Sequence, residues 1–442
     1  MSDITFNGGE ARGNLSPTPS KSHTHRAIIM AALAEGRSTI TDPLISFDTE
    51  ATMDAVRAMG ATVTQEDGRI IVEGGNLHAP EKPIDVRNSG TTLRLLTGIC
   101  STLGEEVTLT GDESIQRRPM GPLLDALSAA GVKCTSNEGK APVTVCGPVT
   151  GNMITISGGV SSQFVSSLLM TAPITGQPTT VKVTGNMVSE PYIDITLGMM
   201  SCFGINFERN ALDDRVIRYS PFNRQANASV EACKKYSAQP QKYQPTDYIV
   251  PGDFSAAAFP LVAAGLAGSV TIRGLDIRDP QGDRRILNVL QATGCAIAID
   301  GKEISCAMTG RPRPLEINMS SIPDLFPIVA VLLATADGKS KLWGAPHLRF
   351  KESDRIALTE QMLKALGADI TATDDGCIIN GVERLHGGRV EHHGDHRIMM
   401  AAAVASLVAD GPVVMEDDGC WNVSYPGFVE QMRSLGVNVE RS

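Results

Sequence analysis

The strongest restriction on the fold of this chain is an internal repeat. Six segments share one plan: a polar start, an Ala- and Leu-rich stretch of helical length, a Gly or Asp-Gly stop, and then a β-branched strand. Their starts recur at intervals of roughly 70 residues, apart from one longer gap after the third, which is typical of a repeated supersecondary unit. The six segments are residues 20–42, 89–111, 161–185, 253–274, 323–344 and 395–416.

A second set of segments alternates with the first, and each pairs an amphipathic helix with a Gly and a strand. A Gly that ends the helix before a following strand explains this pattern. These segments are residues 48–65, 117–135, 190–208, 283–300, 352–372 and 425–440. A further short strand often follows, as in residues 69–75, 142–147, 303–310 and 377–381. Each unit therefore reads strand–helix–strand–helix–strand–strand, and six units predict an α/β protein with two domains of three repeats.

The longer gap between repeats contains the best candidate for a domain boundary. Residues 223–253 are polar and lack helical periodicity. We therefore expect the chain to pass from one domain to the other within this stretch.

The helix starts carry basic residues that capping does not explain. Helices of one domain should run roughly parallel, so that their N-termini, with unpaired N–H donors, gather on one face. Arg and Lys are poor caps and lie unfavourably beside a positive helix end. If two such faces lie opposite each other across a cleft, they form a binding site for a polyanion. We predict that "RFKESDR" (349–355) lines one side of this site. The basic residues concerned are Lys21, Arg26, Arg118, Lys351, Arg355 and Arg397.

Composition limits the class of protein. The chain has 49 acidic and 39 basic residues, a balance that argues against a nucleic-acid binder. Its nine cysteines are scattered without a Cys-x-x-Cys pair, which is typical of reduced thiols in the cytoplasm. No apolar run reaches the length of a membrane span, and residues 1–13 do not resemble a signal peptide. We therefore expect a cytoplasmic protein that binds neither membranes nor nucleic acid.

Three acidic positions allow more than one interpretation. The stretch "VEHHGDH" (390–396) offers three histidines and Asp395, but its spacing matches no standard ligand motif, and the repeat places Asp395 at a helix start. We therefore predict no metal site there. Asp48 is either a helix cap or a substrate-side residue, and Asp253 is predicted to have a structural role at the hinge.

Eight motifs in this chain resemble those of a known family. They are "PSKSHTHRA" (19–27), "RNSGTTLRLL" (87–96), "GDESIQRRPM" (111–120), "SSQF" (161–164), "SEPYIDIT" (189–196), "IPDLFPIVAVLLA" (322–334), "HLRFKESDR" (347–355) and "GDHRIMMA" (394–401). In this order, and over nearly the whole chain, they are similar to the EPSP synthase family of enolpyruvyl transferases. The resemblance implies a two-domain inverse α/β barrel with six βαβαββ repeats, three per domain. It also implies that one domain is residues 19–250 and that the other combines residues 1–18 and 251–442.

The resemblance implies a reaction between shikimate 3-phosphate and phosphoenolpyruvate (PEP) in the shikimate pathway, which leads to aromatic amino acids. The 5-hydroxyl attacks C2 of PEP while C3 is protonated, and the resulting adduct loses phosphate. This chemistry uses no metal or redox cofactor, but it needs cations for two phosphates and two carboxylates, an acid and a base. We expect these two small molecules as partners and a monomeric enzyme.

The resemblance also implies a role for each matching residue. Lys21, Asp324 as base, Glu352 as acid and His396 near the proton transfer are the expected catalytic residues. The residues expected to bind shikimate 3-phosphate are Lys21, Ser22, Arg26, Ser161, Ser162, Gln163, Ser189, Tyr192, Asp324, His347 and Lys351. Those expected to bind PEP are Lys21, Asn88, Gly90, Arg118, Gln163, Arg355 and Arg397, with Gly90 leaving room for PEP against the backbone.

Two positions depart from the family pattern. His347 stands where the family usually has Asn, although some members share the "HLR" of this chain. Val423 stands where many members have a Lys that contacts PEP, which predicts an altered PEP contact or compensation by another cation.

Two other functions are compatible with parts of this pattern. The related UDP-N-acetylglucosamine carboxyvinyltransferases usually have a loop Cys, whereas the corresponding loop here reads "QRRPM" (116–120). A catalytically silent, anion-binding paralogue would be consistent with Val423, but the presence of Lys21, Asp324 and Glu352 argues against it.

Overall fold

In the computed structural model, which describes residues 2–212 and 233–442, the strands form six four-stranded sheets. The strands are β1 (Asp3–Gly9), β2 (Ala11–Leu15), β3 (Gly36–Thr41), β4 (Thr62–Glu66), β5 (Arg69–Gly74), β6 (Ile84–Asp85), β7 (Val107–Thr110), β8 (Lys133–Asn137), β9 (Lys140–Cys146), β10 (Met153–Ser157), β11 (Thr179–Thr184), β12 (Glu208–Leu212), β13 (Cys233–Ala238), β14 (Asp247–Ile249), β15 (Gly268–Arg273), β16 (Ala296–Asp300), β17 (Glu303–Ala307), β18 (Glu316–Asn318), β19 (Lys339–Trp343), β20 (Asp369–Thr373), β21 (Gly376–Asn380), β22 (Gly388–Arg389), β23 (Val413–Glu416) and β24 (Val437–Arg441).

Helices alternate with these strands in the order that the repeats predict. The α-helices are α1 (Lys21–Leu33), α2 (Phe47–Ala58), α3 (Gly90–Cys100), α4 (Glu113–Arg117), α5 (Gly121–Ala129), α6 (Ser162–Thr171), α7 (Pro191–Cys202), α8 (Phe254–Ala267), α9 (Ile286–Thr293), α10 (Phe326–Ala334), α11 (Arg355–Ala365), α12 (His396–Ala405) and α13 (Phe428–Ser434). Short 3₁₀ helices span Ala172–Ile174, Gly282–Arg285, Pro323–Leu325, Pro346–Phe350, Ser406–Val408 and Cys420–Val423. Among the described residues, no helix has the length and hydropathy that a membrane span requires.

Each sheet is one copy of the predicted unit, which confirms the repeat. Every sheet contains one parallel pair followed by two antiparallel pairs, as in the order β6-β7-β9-β8. The prediction that a Gly ends each helix of the second set is also confirmed. The glycine after each of these helices adopts the left-handed conformation that favours this residue. These glycines are Gly60, Gly131, Gly204, Gly294, Gly367 and Gly436, with φ between 78° and 104°.

The two sets of helices differ in burial. Every residue of α10 and α12 is buried, whereas only four of the nine residues of α5 are. A helix that is apolar on all sides belongs inside a domain, and an amphipathic one covers its surface. The first set of segments (α1, α3, α6, α8, α10 and α12) therefore forms inner helices, and the second set lies outside them. Close packing of the inner helices uses Gly98, where an added Cβ would lie 2.4 Å from Ser167 Oγ on α6.

Three sheets are completed by strands that are distant in sequence. β2 pairs in parallel with β15, and β14 pairs in parallel with β3. β1 joins the sheet of β22, β23 and β24. The first two strands therefore belong with the C-terminal half of the chain, as the family resemblance implies.

Buried apolar side chains form two separate clusters. One contains residues from 27 to 250, and the other combines residues 4–11 with residues from 254 to 437. We propose that these clusters are the cores of the two domains, with the chain crossing between them near Pro19 and Gly252, which form a bridge.

The predicted boundary stretch, residues 223–253, is not a simple linker. Residues 223–232 lie outside the described residues. β13 pairs with β11 and β12, and β14 pairs with β3, so that much of the remaining stretch belongs to sheets. The polar sequence did not indicate these strands because they bury few side chains: Tyr236 and Ala238 are the buried residues of β13. The proposed crossing near Gly252 lies within this stretch, so residues 223–253 remain the predicted boundary.

Candidate active site

One cavity lies between the two groups of repeats. Its walls are built largely from the starts of the inner helices, where free N–H donors and basic side chains converge. All but three of the site residues predicted from the sequence line this cavity. Those that line it are Lys21, Ser22, Arg26, Ser161, Ser162, Gln163, Ser189, Tyr192, Asp324, His347, Lys351, Glu352, Arg355, His396 and Arg397.

The three remaining residues, Asn88, Gly90 and Arg118, do not line the cavity. Arg118 approaches Glu352, with 3.7 Å between Nη1 and Oε1, and its Nη2 donates to Asn88 Oδ1 at 3.1 Å. An added Cβ on Gly90 would lie 2.5 Å from Arg118 Nη1. In this structure Gly90 therefore leaves room for the Arg118 guanidinium, whereas the sequence predicted that it leaves room for a substrate.

Arg118 is not at a helix start, contrary to the sequence prediction. It lies between α4 and α5 in an extended conformation, with φ –78° and ψ 138°. Pro119 follows it, and a proline disfavours helical geometry in the preceding residue. The extended backbone nevertheless leaves the Arg118 side chain buried beside Glu352.

The predicted acid, Glu352, and the predicted base, Asp324, both accept hydrogen bonds from arginine side chains. Arg355 donates to Glu352 Oε2 at 2.6 Å and to Asp324 Oδ1 at 3.1 Å, and Arg397 donates to Asp324 Oδ2 at 3.1 Å. Burial alone would raise the pKa of Glu352, but the charges of Arg355 and Arg118 hold that pKa well below its usual range. Burial likewise opposes the effect of Arg397, Lys351 and Arg355 on Asp324, whose pKa is also lowered.

Two buried arginines at the cavity have no carboxylate partner. Arg26 and Arg94 are 1% and 8% exposed, and neither lies within 4.0 Å of a carboxylate oxygen in residues 2–212 and 233–442. Burial lowers the pKa of each to about 10, so both stay charged at neutral pH. Since an unpaired buried charge is costly, this arrangement favours an anionic ligand.

Lys21 is held by carboxylates from both sides of the cavity. Its Nζ donates to Asp48 Oδ2 at 2.9 Å, and its backbone N–H donates to Asp253 Oδ2 at 3.2 Å. Ser46 is the N-cap of α2, so Asp48 is a Lys21 partner rather than the cap. Asp253 is the N-cap of α8 and also lines the cavity, where it joins the two halves of the molecule.

The two predicted histidines are neutral and have unpaired ring nitrogens. Burial lowers the pKa of His396 to about 3 and that of His347 to about 4. Nε2 of His396 and both nitrogens of His347 lack a hydrogen-bond partner among the described residues. Polar atoms that are buried in this way remain free to bond a ligand in the cavity.

Sequence reasoning missed Arg94, which lines the cavity, and noted Thr91, Ser255 and Ser424 as polar residues at helix starts without assigning them to the site. Arg94 Nη1 donates to Gln163 Oε1 at 2.6 Å, which orients a predicted site residue. A signal for Arg94 did exist, because an arginine within the apolar inner segment 89–111 is unusual. Val423, by contrast, does not line the cavity, although the next residue does.

A buried carboxyl group lies next to the cavity without a cation bonded to it. Asp283 is 2% exposed, its Oδ2 accepts from the Ser255 hydroxyl, and its Oδ1 has no partner in the described part of the chain. Burial raises the pKa of Asp283 to about 7, the negative charge of Asp324 adds to this effect, and Arg397 offsets only part of it.

The variant Asp283→Asn is expected to gain stability over the wild type as the pH rises. The folded protein retains a proton on Asp283 that the unfolded chain has already lost, so wild-type stability falls as the pH rises from 3.8 towards about 7. Asn does not titrate. Between about pH 5 and about pH 8, the difference in free energy of unfolding should move in favour of the variant by roughly 1–3 kcal/mol in urea titrations. The exposed Asp337→Asn is the control, and a difference independent of pH for Asp283→Asn would contradict the assignment.

Comparison with known proteins gives one consistent result. A family model described as EPSP synthase (3-phosphoshikimate 1-carboxyvinyltransferase) matches residues 7–432. The chain is 45% identical over 424 residues to the 3-phosphoshikimate 1-carboxyvinyltransferase of Methanocorpusculum labreanum, covering 95% of each chain. It is 38% identical to that of Methanocaldococcus jannaschii over 97% of this chain and 96% of the other. The solved structure of EPSP synthase from Acinetobacter baumannii is similar over the full length of both chains, with a TM-score of 0.78 and 27% identity.

Proposed function

Because this chain belongs to the EPSP synthase (3-phosphoshikimate 1-carboxyvinyltransferase) family, we propose that the cavity between its two halves is the active site and that the residues named above bind both substrates. The enzyme transfers the carboxyvinyl group of PEP to the 5-hydroxyl of shikimate 3-phosphate and releases phosphate. The observation that supports the site assignment most strongly is the pair of buried arginines, Arg26 and Arg94, without carboxylate partners in the described residues. Substrates with two phosphates and two carboxylates match this unbalanced positive charge.

Shikimate 3-phosphate is proposed to bind against the half of the cavity that contains α1, α6 and α7. Ser161 and Ser162 lie at the start of α6, where backbone N–H groups favour a phosphate, and Ser189 completes this group of hydroxyls. The buried Arg26 would bind the ring carboxylate. Remaining contacts are proposed for Ser22, Gln163, Tyr192, His347 and Lys351.

PEP is proposed to bind between the arginines of the opposite half. Arg355 and Arg397 offer planar pairs of N–H donors that suit phosphate and carboxylate groups. Arg118, supported by Asn88 and Gly90, completes this group from the other side of the cavity. Arg94 adds a fourth guanidinium.

The bonds of Arg355 and Arg397 to the two carboxylates suggest how binding of PEP changes the pKa of the acid and of the base. Arg355 bonds Glu352 and Asp324, and Arg397 bonds Asp324, which lowers both carboxyl pKa values. An anion bound to the same arginines reduces their field at the carboxylates, so both pKa values rise towards the range that proton transfer requires. Glu352 then protonates C3 of PEP, and Asp324 takes the proton of the 5-hydroxyl.

Lys21 and His396 are proposed to support these steps. Lys21 reaches the cavity between Asp48 and Asp253 and would contact both substrates. His396 is neutral and presents an unpaired Nε2, so it would act as a hydrogen-bond partner near the proton transfer. Since one chain provides every proposed contact, we also propose that the enzyme acts as a monomer.

A phosphate-release assay tests the proposed substrates. We expect release of phosphate only when shikimate 3-phosphate and PEP are both present, and none with UDP-N-acetylglucosamine and PEP. Turnover with the second pair would indicate the related transferase activity. Absence of turnover with either pair would indicate a silent, anion-binding protein.

A further inference from the structure

A second group of chemically reactive side chains lies outside the cavity. His392, Asp418 and Cys420 place one potential ligand atom each within 4.8 Å of the others, and they are the one such group of three in residues 2–212 and 233–442. His392 Nδ1 lies 3.8 Å from Cys420 Sγ and 3.9 Å from Asp418 Oδ2. None of the three lines the cavity.

The three ligand atoms are oriented towards one another by backbone contacts. His392 Nε2 lies 3.1 Å from the Glu416 carbonyl oxygen, which can accept only from a protonated nitrogen, so Nδ1 carries the lone pair. A hydrogen bond from the second ring nitrogen to a carbonyl is the usual support for a histidine that binds metal. The Cys420 backbone N–H donates to Asp418 Oδ1 at 2.9 Å, which leaves Oδ2 as the oxygen nearer to His392.

One contact competes with a ligand at this place. The Gly394 N–H donates to His392 Nδ1 at 3.1 Å, and an ion bound to Nδ1 has to replace it. Gly394 is an exposed residue in a turn, so its N–H can bond water instead.

The spacing and the ligand types indicate one class of ion. Tetrahedral zinc with bonds of about 2.0–2.3 Å to N, O and S places neighbouring ligand atoms roughly 3.3–3.8 Å apart. The two distances from His392 Nδ1, 3.8 Å to Cys420 Sγ and 3.9 Å to Asp418 Oδ2, are close to this range. A thiolate with imidazole favours zinc and similar soft ions over Mg²⁺ or Ca²⁺. Burial and the nearby Asp418 raise the pKa of the Cys420 thiol, so binding must release its proton and place a positive charge between the two groups.

We propose that His392, Asp418 and Cys420 form a binding site for a thiophilic divalent transition-metal ion such as Zn²⁺, with water as a fourth ligand. Residues 390–396, in which the sequence predicts no metal site, provide only His392 to this group, and the other two ligands come from residues 418 and 420. Asp418 is about one-third exposed (32%), which gives the ion and the water a route to the group. The ion would connect the turn before α12 with the 3₁₀ helix Cys420–Val423. It would stabilise this part of the fold without touching the substrates.

Binding of Co²⁺ provides a direct test, because a Co²⁺–thiolate bond has a characteristic charge-transfer absorption band. After chelator treatment and buffer exchange, we expect the full-length protein to bind one Co²⁺ with this band and to exchange it for Zn²⁺ but not for Mg²⁺. Cys420→Ser should lose the band, whereas Cys202→Ser, which removes an exposed cysteine, should keep it. Zn²⁺ should also raise the melting temperature of the wild type.

A second variant covers the case in which Cys420→Ser does not fold. Asp418→Asn changes a partly exposed side chain and is expected to weaken Co²⁺ and Zn²⁺ binding about tenfold or more. The proposal is wrong if the folded wild type shows no thiolate band, if Cys420→Ser retains it, or if Asp418→Asn binds both ions as tightly as the wild type does.

Discussion

Replacement of Glu352 with Gln is expected to lower kcat by about 10²- to 10⁴-fold, because the amide cannot donate a proton to C3 of PEP. The change is nearly isosteric, and the Gln oxygen can still accept from Arg355, which lies 2.6 Å from Glu352 in the wild type. PEP binding should be no weaker, since one negative charge next to the proposed arginines is removed. Steady-state phosphate release measures kcat, and calorimetric titration with PEP measures binding.

A matched control for this variant lies on the helix that follows Glu352. Glu360 pairs with Lys364 on α11 and does not line the cavity, so Glu360→Gln should keep kcat within about threefold of the wild type. If Glu352→Gln retains kcat within about tenfold of the wild type, Glu352 is not the acid. If kcat falls only in proportion to a loss of PEP binding, the role of Glu352 is in binding and not in proton transfer.

Replacement of Arg355 with Met is expected to destabilise the folded protein by about 3–5 kcal/mol and to abolish turnover. The Arg355 side chain is 1% exposed and bonds Asp395, Asp324 and Glu352, and Asp395 is completely buried. Removal of the cation leaves buried carboxylates without their charge partner, which is the costly way to break such a pair. Urea unfolding monitored by tryptophan fluorescence, together with phosphate release, measures both effects.

A double variant distinguishes two causes of the lost stability, which are the unpaired buried charge and the loss of side-chain packing. Asn at position 395 is neutral and can still cap α12, a role in which Asp395 accepts from the backbone N–H groups of Arg397 and Ile398. The combination of Arg355→Met and Asp395→Asn should therefore recover a large part of the stability that Arg355→Met loses, without recovering turnover. A double variant as unstable as the single one would show that packing, not charge, explains the loss. Lys364→Met, at an exposed position of α11, is the control for loss of a cation and should cost about 0.5 kcal/mol or less.

Sequence patterns predicted the helices and their ends well because these features depend on local interactions. An apolar inner segment such as α10 and a left-handed Gly such as Gly294 act within a few residues of the chain. The repeat of these signals was sufficient to predict six units. A prediction failed where a neighbour changed the local preference, as Pro119 does for Arg118. The polar strands within residues 233–249 were not identified, because polar strands give no clear periodic signal.

The sequence was less informative about which groups face one another in the site. Because basic residues at helix starts need an anion, it predicted a group of basic side chains that line the cavity, namely Lys21, Arg26, Lys351, Arg355 and Arg397. The other predicted residues that line it came from the resemblance to the family. The sequence did not predict that Asp48 pairs with Lys21 or that Gly90 accommodates Arg118. Arg94 was overlooked because its helix segment was interpreted only as core.

The order of helices and strands, the repeat, and the need for an anion at the helix starts follow from the sequence alone, since spacing and charge along the chain encode them. Only the tertiary structure decided that β14 completes the sheet of β3 and that Arg355 is shared among Asp395, Asp324 and Glu352. These pairings join residues that are far apart in sequence, and their free energy depends on distance, burial and competing partners. A linear pattern contains none of these three quantities.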